Sequence, residues 1–164
     1  MSFFRQDETL VSARHIQKKK LCSYVILSKK NNNMLYSLEF RVRDYECDLQ
    51  GIVNNANYQH YYEHTRHEFL IENNISFAAL HDQQIDFVVA RVEMSYKYPL
   101  RSGDTFVSEL DFRQEGIKYV FIQKIYRLPD RKLCNIGRFD CVCLDHRKLK
   151  QCELLNDFIK SLNI

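Results

Sequence analysis

The chain has 164 residues, a mass of 19.7 kDa and a formal net charge of +3, with 45% hydrophobic and 27% charged residues but only four Gly and two Pro. That scarcity of backbone breakers excludes collagen-like, low-complexity and linker-rich chains, and the mixture suits one globular domain with a single core. The longest apolar runs, such as Tyr24 to Leu27 and Phe87 to Ala90, fall far short of the roughly twenty residues a membrane-spanning helix needs.

Taken in chain order, residues 1–33 hold seven Lys and Arg against Asp7 and Glu8, a net of +5, which leaves −2 for the remainder. The positive charge is therefore confined to a leader, and the body has no basic surplus with which to hold nucleic acid. The leader has weak periodicity, ends in Asn31-Asn32-Asn33, and lacks the apolar segment and cleavage site of a secretory signal. It is expected to be a flexible extension or to precede a native start at Met34, with Cys22 to Ser28 as a candidate added strand. The domain proper is expected over 34–164.

Tyr36, Leu38, Phe40 and Val42 alternate with Ser37, Glu39, Arg41 and Arg43, the period of a half-buried strand. A polar loop with Gly51 follows, and Asn54-Asn55-Ala56-Asn57 offers capping side chains to a segment free of Gly and Pro that runs to about Glu72. Tyr58, Tyr61, Tyr62, Phe69 and Leu70 fall at helical spacing, so one flank of this helix is apolar and aromatic. A shorter helical piece is expected over Phe77 to His81.

Period two returns from Val88 to Tyr98, where Val88, Ala90, Val92, Met94, Tyr96 and Tyr98 would share one face, and Pro99 ends the run because it cannot donate to a ladder. Three further strands are expected at about 104–114, 117–127 and 132–145. Glu115-Gly116 and Leu128-Pro129-Asp130 supply their turns, and Gly137, inside a strand pattern, marks a bulge or the close approach of another backbone. Leu154, Leu155, Phe158, Ile159 and Leu162 form a short amphipathic helix. One strand, a long helix and a four-strand meander make an α+β layer with helix and sheet segregated. A single long helix cannot cover both faces and both edges of such a sheet, so association through a remaining edge or face is expected.

The six cysteines, at 22, 47, 134, 141, 143 and 152, contain no C-x-x-C pair, and Cys141 and Cys143 share a strand face as small core residues would. This usage points to a reducing, cytoplasmic compartment. His60, His64 and His67 lie close to one helix face, but without H-E-x-x-H or a third-ligand element they are expected to be surface or interface histidines and not a metal site.

The run from Arg43 to Tyr58, with Asp48, Gly51, Val53, Asn54 and Asn55, resembles the D-x-D-x-x-G-h-V-x-x-x-x-Y signature of hotdog-fold thioesterases of the 4-hydroxybenzoyl-CoA thioesterase class. Within that class it is similar to bacterial acyl-CoA thioester hydrolases and plant acyl-lipid thioesterases, which share the Val-Asn-Asn run and a helix like His64 to Leu70. Pro99-Leu100-Arg101-Ser102-Gly103-Asp104 is a further similar stretch, and the likeness covers Leu35 to about Asp145. It implies a five-stranded antiparallel sheet wrapped around one long central helix. It implies hydrolysis of an acyl-CoA or acyl-carrier-protein thioester by a homodimer or dimer of dimers, with no cofactor beyond the coenzyme A moiety of the substrate.

By the same resemblance Asp48 is the base or nucleophile, main-chain N–H groups near Asn55 at the helix N-terminus form the oxyanion hole, and Gly51 supports the turn. Glu63, on the helix two turns further on, stands where this class often has a carboxylate; it either orients the attacking water or pairs with Arg66 or His67. Val53, Asn54 and Tyr58 are implied at the substrate, and Arg101, with Lys97 and Arg91, is a candidate for the phosphates of coenzyme A. Some bacterial relatives have a His where Asn55 stands here, which leaves Asp48 and the helix N-terminus as the minimal apparatus. The alternative is a non-catalytic module that binds acyl thioesters in the same cleft.

Overall fold

The computed structural model describes residues 34–162, so the basic leader and its candidate strand lie outside the described residues. Strand β1 (Tyr36–Arg41) leads through a single 3-10 turn (Asp44–Glu46) and a loop to helix α1 (Asn55–Glu72) and the short α2 (Phe77–Asp82). Strands β2 (Ile85–Tyr96), β3 (Thr105–Glu115), β4 (Lys118–Leu128) and β5 (Lys132–Asp145) follow, then a two-residue β6 (Lys148–Leu149) and α3 (Glu153–Ser161). The sheet is antiparallel in the order β1-β3-β4-β5-β2, with β6 added to β5, so β1 and β2 are its edges. The expected four-strand meander is not formed, because β2 crosses over to pair with β5 and only β3, β4 and β5 follow one another; the sheet against one long helix is the hotdog arrangement that the resemblance implied.

Helix α1 begins where Asn54 caps it, its side chain accepting the Ala56 N–H at 3.0 Å. Its buried face carries Tyr58, Tyr61, Tyr62, Phe69 and Leu70, as the periodicity indicated, but also Thr65 and Arg66. These polar groups are matched strand by strand. Thr65 Oγ1 donates to the Tyr61 carbonyl at 2.7 Å and is hydrogen-bonded to Ser108 Oγ on β3 at 2.9 Å. Arg66 donates to Gln123 Oε1 on β4 at 2.9 Å, and Tyr62 donates to Asn135 Oδ1 on β5 at 2.9 Å. Buried polar groups need such partners, and here the partners also set the helix position.

Around this spine the core is aromatic. Phe112 stacks on Phe121 with ring centroids 4.4 Å apart, Phe40 on Phe106 at 5.1 Å, and Tyr62 meets Phe139 edge-on at 5.4 Å. Helix α3 closes one end, with Phe158 tilted against Phe69 at 5.7 Å and Leu155 buried. Cys141 and Cys143 face inward and are 1% exposed; burial pushes the first thiol up to about 11 and the second to about 12, so both stay protonated members of the core.

Two further expectations are corrected. Strand β2 does not keep one period-two face: the register shift between Val89 and Arg91 flips it, so Val89, opposite the buried Cys141, and Val92, opposite the buried Phe139, share the inner face while Val88 lies on the other, and all three are still 38 to 46% exposed. The strand sits at the edge of the described sheet, where Phe87 stacks on Phe77 of α2 and Tyr96 meets Tyr58 of α1, so its apolar alternation is only partly covered within the described residues. It also starts earlier and stops at Tyr96, short of Tyr98. Gly137 marks neither a bulge nor a neighbouring backbone. The register shifts lie at Val89/Arg91 and Ile125/Tyr126, and what crowds Gly137 is the ring of Tyr62 from α1 together with its own neighbour Phe139.

A Cβ at position 137 would come 2.8 Å from Tyr62 Cε2 and 2.7 Å from Phe139 Cε2, inside van der Waals contact. Gly137→Ala is therefore expected to destabilise the domain by about 1–3 kcal/mol, the usual cost of overpacking. Denaturant unfolding checks this, and an unchanged midpoint would mean that the Tyr62 ring repacks freely.

Candidate active site

The loop before α1 is built around two short-range devices. Cys47 bridges Val53, the Asp48 N–H donates to the Ile52 carbonyl at 2.9 Å, and the Gly51 N–H donates to the Asp48 carbonyl at 3.0 Å. Gly51 has φ +71°, the left-handed conformation in which glycine has no Cβ penalty, so the chain can reverse within four residues and enter the helix. The second device is Glu46. Its carbonyl accepts the Asn54 N–H at 2.9 Å and Asn57 Nδ2 at 2.7 Å, while its carboxylate accepts the Tyr61 phenol at 2.8 Å and the Arg43 N–H at 2.7 Å. Burial, and then the Glu46 carboxylate, hold the Tyr61 phenol well above its ordinary pKa, so it remains a donor.

Asp48 is positioned by its own turn. Its Oδ1 accepts the Gln50 N–H at 2.9 Å, and the Gln50 side-chain nitrogen, turned toward the carboxylate, donates to Oδ1 at 2.8 Å and Oδ2 at 3.0 Å. The carboxylate borders a cavity of about 520 Å³ whose other walls are Val53, Asn55 and Tyr58 from the helix entry and Tyr96 to Pro99 from the end of β2. At the start of α1 the Asn54 N–H is engaged by Glu46, the Ala56 N–H by the Asn54 side chain and the Asn57 N–H by the Asn54 carbonyl. The Asn55 N–H has no such acceptor among the described residues and stands at the positive end of the helix dipole. Tyr58 Oη accepts the Leu100 N–H at 3.2 Å and burial pushes its phenol up to about 12, so it keeps a proton that no described residue accepts.

The structure thus brings Asp48, Val53, Asn55 and Tyr58 to one cavity, and Gly51 and Asn54 beside it as turn and cap. It does not bring Glu63 or Arg101 there. Glu63 lies eight residues after Asn55, about 12 Å along the helix at the usual rise, and borders a separate cavity of about 320 Å³ with Arg66, His67, Phe77 and the start of β2. Arg101 is exposed, its N–H bonded to Asp104 Oδ2 at 2.9 Å, and the cation that does border the Asp48 cavity is Lys97. A third recess, about 860 Å³, lies toward β1 and contains none of the expected site residues; His60 and His64 border it, whereas His67 borders the Glu63 cavity. Among the described residues no three His, Cys, Asp or Glu are grouped to hold a metal ion.

Sequence reasoning missed Ile52, Tyr96, Tyr98 and Pro99 as walls, and Glu46 as the pin of the loop. Tyr96 donates to the Asn55 carbonyl at 3.2 Å and meets Tyr58 edge-on at 5.4 Å. Only the turn from Tyr96 to Leu100, which lays the end of β2 over the helix entry, reveals these contacts.

Comparison with known proteins agrees with this fold. The sequence profile of the thioesterase-like superfamily matches residues 42–162. Acyl-acyl carrier protein thioesterase ATL3 of Arabidopsis thaliana is 30% identical over 79% of this chain and 68% of its own length. Acyl-CoA thioester hydrolase YbgC of Escherichia coli is 30% identical over 73% of this chain and 89% of its own length. The chain spans 58 to 68% of the length of the Arabidopsis relatives and an Aquifex aeolicus putative esterase. The crystal structure of Slr0204, a 1,4-dihydroxy-2-naphthoyl-CoA thioesterase from Synechocystis, superposes with a TM-score of 0.74 at 15% identity, covering 79% of this chain and 98% of that one, and so shares the fold. With its profile match across nearly the whole described domain, the chain belongs to the thioesterase-like superfamily of hotdog proteins.

Proposed function

We propose that the chain is a thioesterase that hydrolyses acyl-CoA or acyl-carrier-protein thioesters in the cavity beside Asp48. The observation that carries this reading is the meeting, in one cavity, of a positioned carboxylate and an unengaged N–H at a helix N-terminus. Thioester hydrolysis needs a base for water and a donor where negative charge develops. Water attacks the carbonyl carbon and loses its proton to Asp48. The oxyanion of the tetrahedral intermediate is held by the Asn55 N–H and the helix dipole. Collapse expels the thiolate, which takes up the proton, leaving acid and thiol. Tyr58, kept protonated, donates to the substrate, and Lys97 at the mouth offers a cation to its phosphates.

The unit of function is a homodimer. Among the described residues strand β2 pairs only with β5, and its free edge and both faces present Val88, Val89, Val92 and Tyr96 at 38 to 51% exposure. A long apolar edge strand is a template for pairing with another chain. Two-fold antiparallel pairing of β2 with β2 sets the Tyr96 end of one strand beside the Ile85 end of the other, so the Asp48 cavity of one protomer faces the Glu63 cavity of the next. Glu63 thereby reaches a site it cannot reach within its own chain, where it orients the attacking water.

Asp48→Asn and Asp48→Ala are expected to lower kcat for free-thiol release by about 10²–10⁴-fold, the range for loss of a general base. Hydrolysis undiminished in both would remove Asp48 from the mechanism. Acyl-CoA that raises the melting temperature without being cleaved by the wild type would instead support a binding module.

The shared site has its own test. Wild-type protein should sediment as a multiple of the 19.7 kDa chain, and Val89→Lys with Val92→Lys should shift it to monomer and abolish activity. Mixing the weakly active Asp48→Ala and Glu63→Ala proteins after co-refolding should recover about a quarter of wild-type activity, because half the dimers are hybrids with one intact site of two. No recovery would mean that Glu63 does not act across the interface, and an undiminished Glu63→Ala would place it outside the site.

A further inference from the structure

The cavity that Glu63 borders holds a feature that hydrolysis as described does not use. Arg66 is 8% exposed, yet no carboxylate lies within ion-pair distance of it among the described residues; every ion pair of the domain is made by other cations. The central carbon of its guanidinium lies over the Phe139 ring, 4.1 Å from the centroid, and one nitrogen donates to Gln123 Oε1 at 2.9 Å. Gln123 is itself fully buried and fixed, because its Nε2 donates to the Tyr62 carbonyl at 3.1 Å. The fork of Arg66 is thus held rigidly from its face and one edge, while the same side chain forms part of the cavity wall. Removing a cation from water without a partner is costly, and planar guanidinium is suited to taking a carboxylate with two parallel bonds.

The rest of the cavity fits the body of an acyl chain. Phe77, Ile85, Phe87 and Val88 supply apolar wall. Of its other charged groups, Asp86 is bonded to His81 Nδ1 at 2.7 Å, which raises the pKa of that histidine, and Glu63 is exposed at the mouth. Neither lies within ion-pair distance of Arg66, though the charge of Glu63, three residues before it on α1, acts on the guanidinium from further away. The volume, about 320 Å³, holds a small to medium chain and not a long fatty acid.

We infer that this cavity receives the far end of the acyl group whose thioester sits at the partner's Asp48, and that Arg66 selects acyl groups ending in a carboxylate. The substrate class is then the coenzyme A or carrier-protein thioesters of dicarboxylic acids. The inference rests on the thioesterase and dimer reading above. Arg66 is a specificity residue, touching the substrate away from the reacting carbon.

The test measures kcat/KM by free-thiol release for adipoyl-CoA and suberoyl-CoA against hexanoyl-CoA and octanoyl-CoA, with wild type, Arg66→Lys and Arg66→Met. A site built to bond a polar group rejects the analogue that lacks it, so wild type is expected to favour the dicarboxylic thioesters by about tenfold or more. The ratio should fall in Arg66→Lys and invert in Arg66→Met. Hydrolysis of all four thioesters by wild type with no preference for the carboxylates overturns this inference and leaves the thioesterase reading intact. A preference that survives in both variants removes Arg66 from the assignment, and cleavage of none of the four overturns both readings. Should Arg66→Met fail to fold, the wild-type ratio and Arg66→Lys still decide.

Discussion

The seating of α1 on the sheet governs the rest of the molecule. Aromatic burial alone is non-directional and would tolerate a helix shifted or rotated by part of a turn. What forbids such sliding is the set of buried polar pairs, each to a different strand: Thr65 with Ser108 on β3, Arg66 with Gln123 on β4 and Tyr62 with Asn135 on β5. Displacing the helix would strand all of these groups at once in a medium with no water to replace them. Gly137 adds a steric condition, because the Tyr62 ring occupies the space a side chain would need.

A helix fixed in this way delivers its N-terminus to a fixed place, and the loop before it needs to hold only a short turn. Glu46 ties that loop to Asn54, Asn57 and Tyr61, and the residues from Tyr96 to Leu100 cover it from the other side. The candidate carboxylate therefore sits on a loop, where chemistry is easily varied, but a loop clamped by rigid elements, where geometry is preserved.

The same economy leaves the sheet incomplete. One helix covers the sheet from β1, where Phe40 meets Tyr61, to β5 and leaves much of β2 exposed, and that exposure is apolar. The two cavities at opposite ends of β2 each hold half of a set: carboxylate and helix N-terminus at one end, Glu63 and an Arg66 without an ion pair among the described residues at the other. In the dimer proposed above, antiparallel pairing of two copies would unite the halves, so that assembly and specificity would derive from the same unfinished edge.

Much of this was already legible in the chain. Period-two runs over β1, β3, β4 and β5, the capped and unbroken segment of α1, and Gly116 and Pro129 in the turns give the elements in order, since each depends on neighbours within a few residues. Asp48, Gly51 and Asn55 are contiguous, so their motif also survives in one dimension, and with it the family. The tertiary structure decided what depends on residues far apart. It turned the alternation of β2 from a core face into an open edge and gave Gly137 its ring neighbour from α1. It separated Glu63 and Arg101 from the Asp48 cavity and brought Tyr96 and Lys97 in their place. It also buried Arg66, which in the sequence is one charge among many on a polar helix, and the reason is general: periodicity shows which residues share a face, but only packing decides what that face meets.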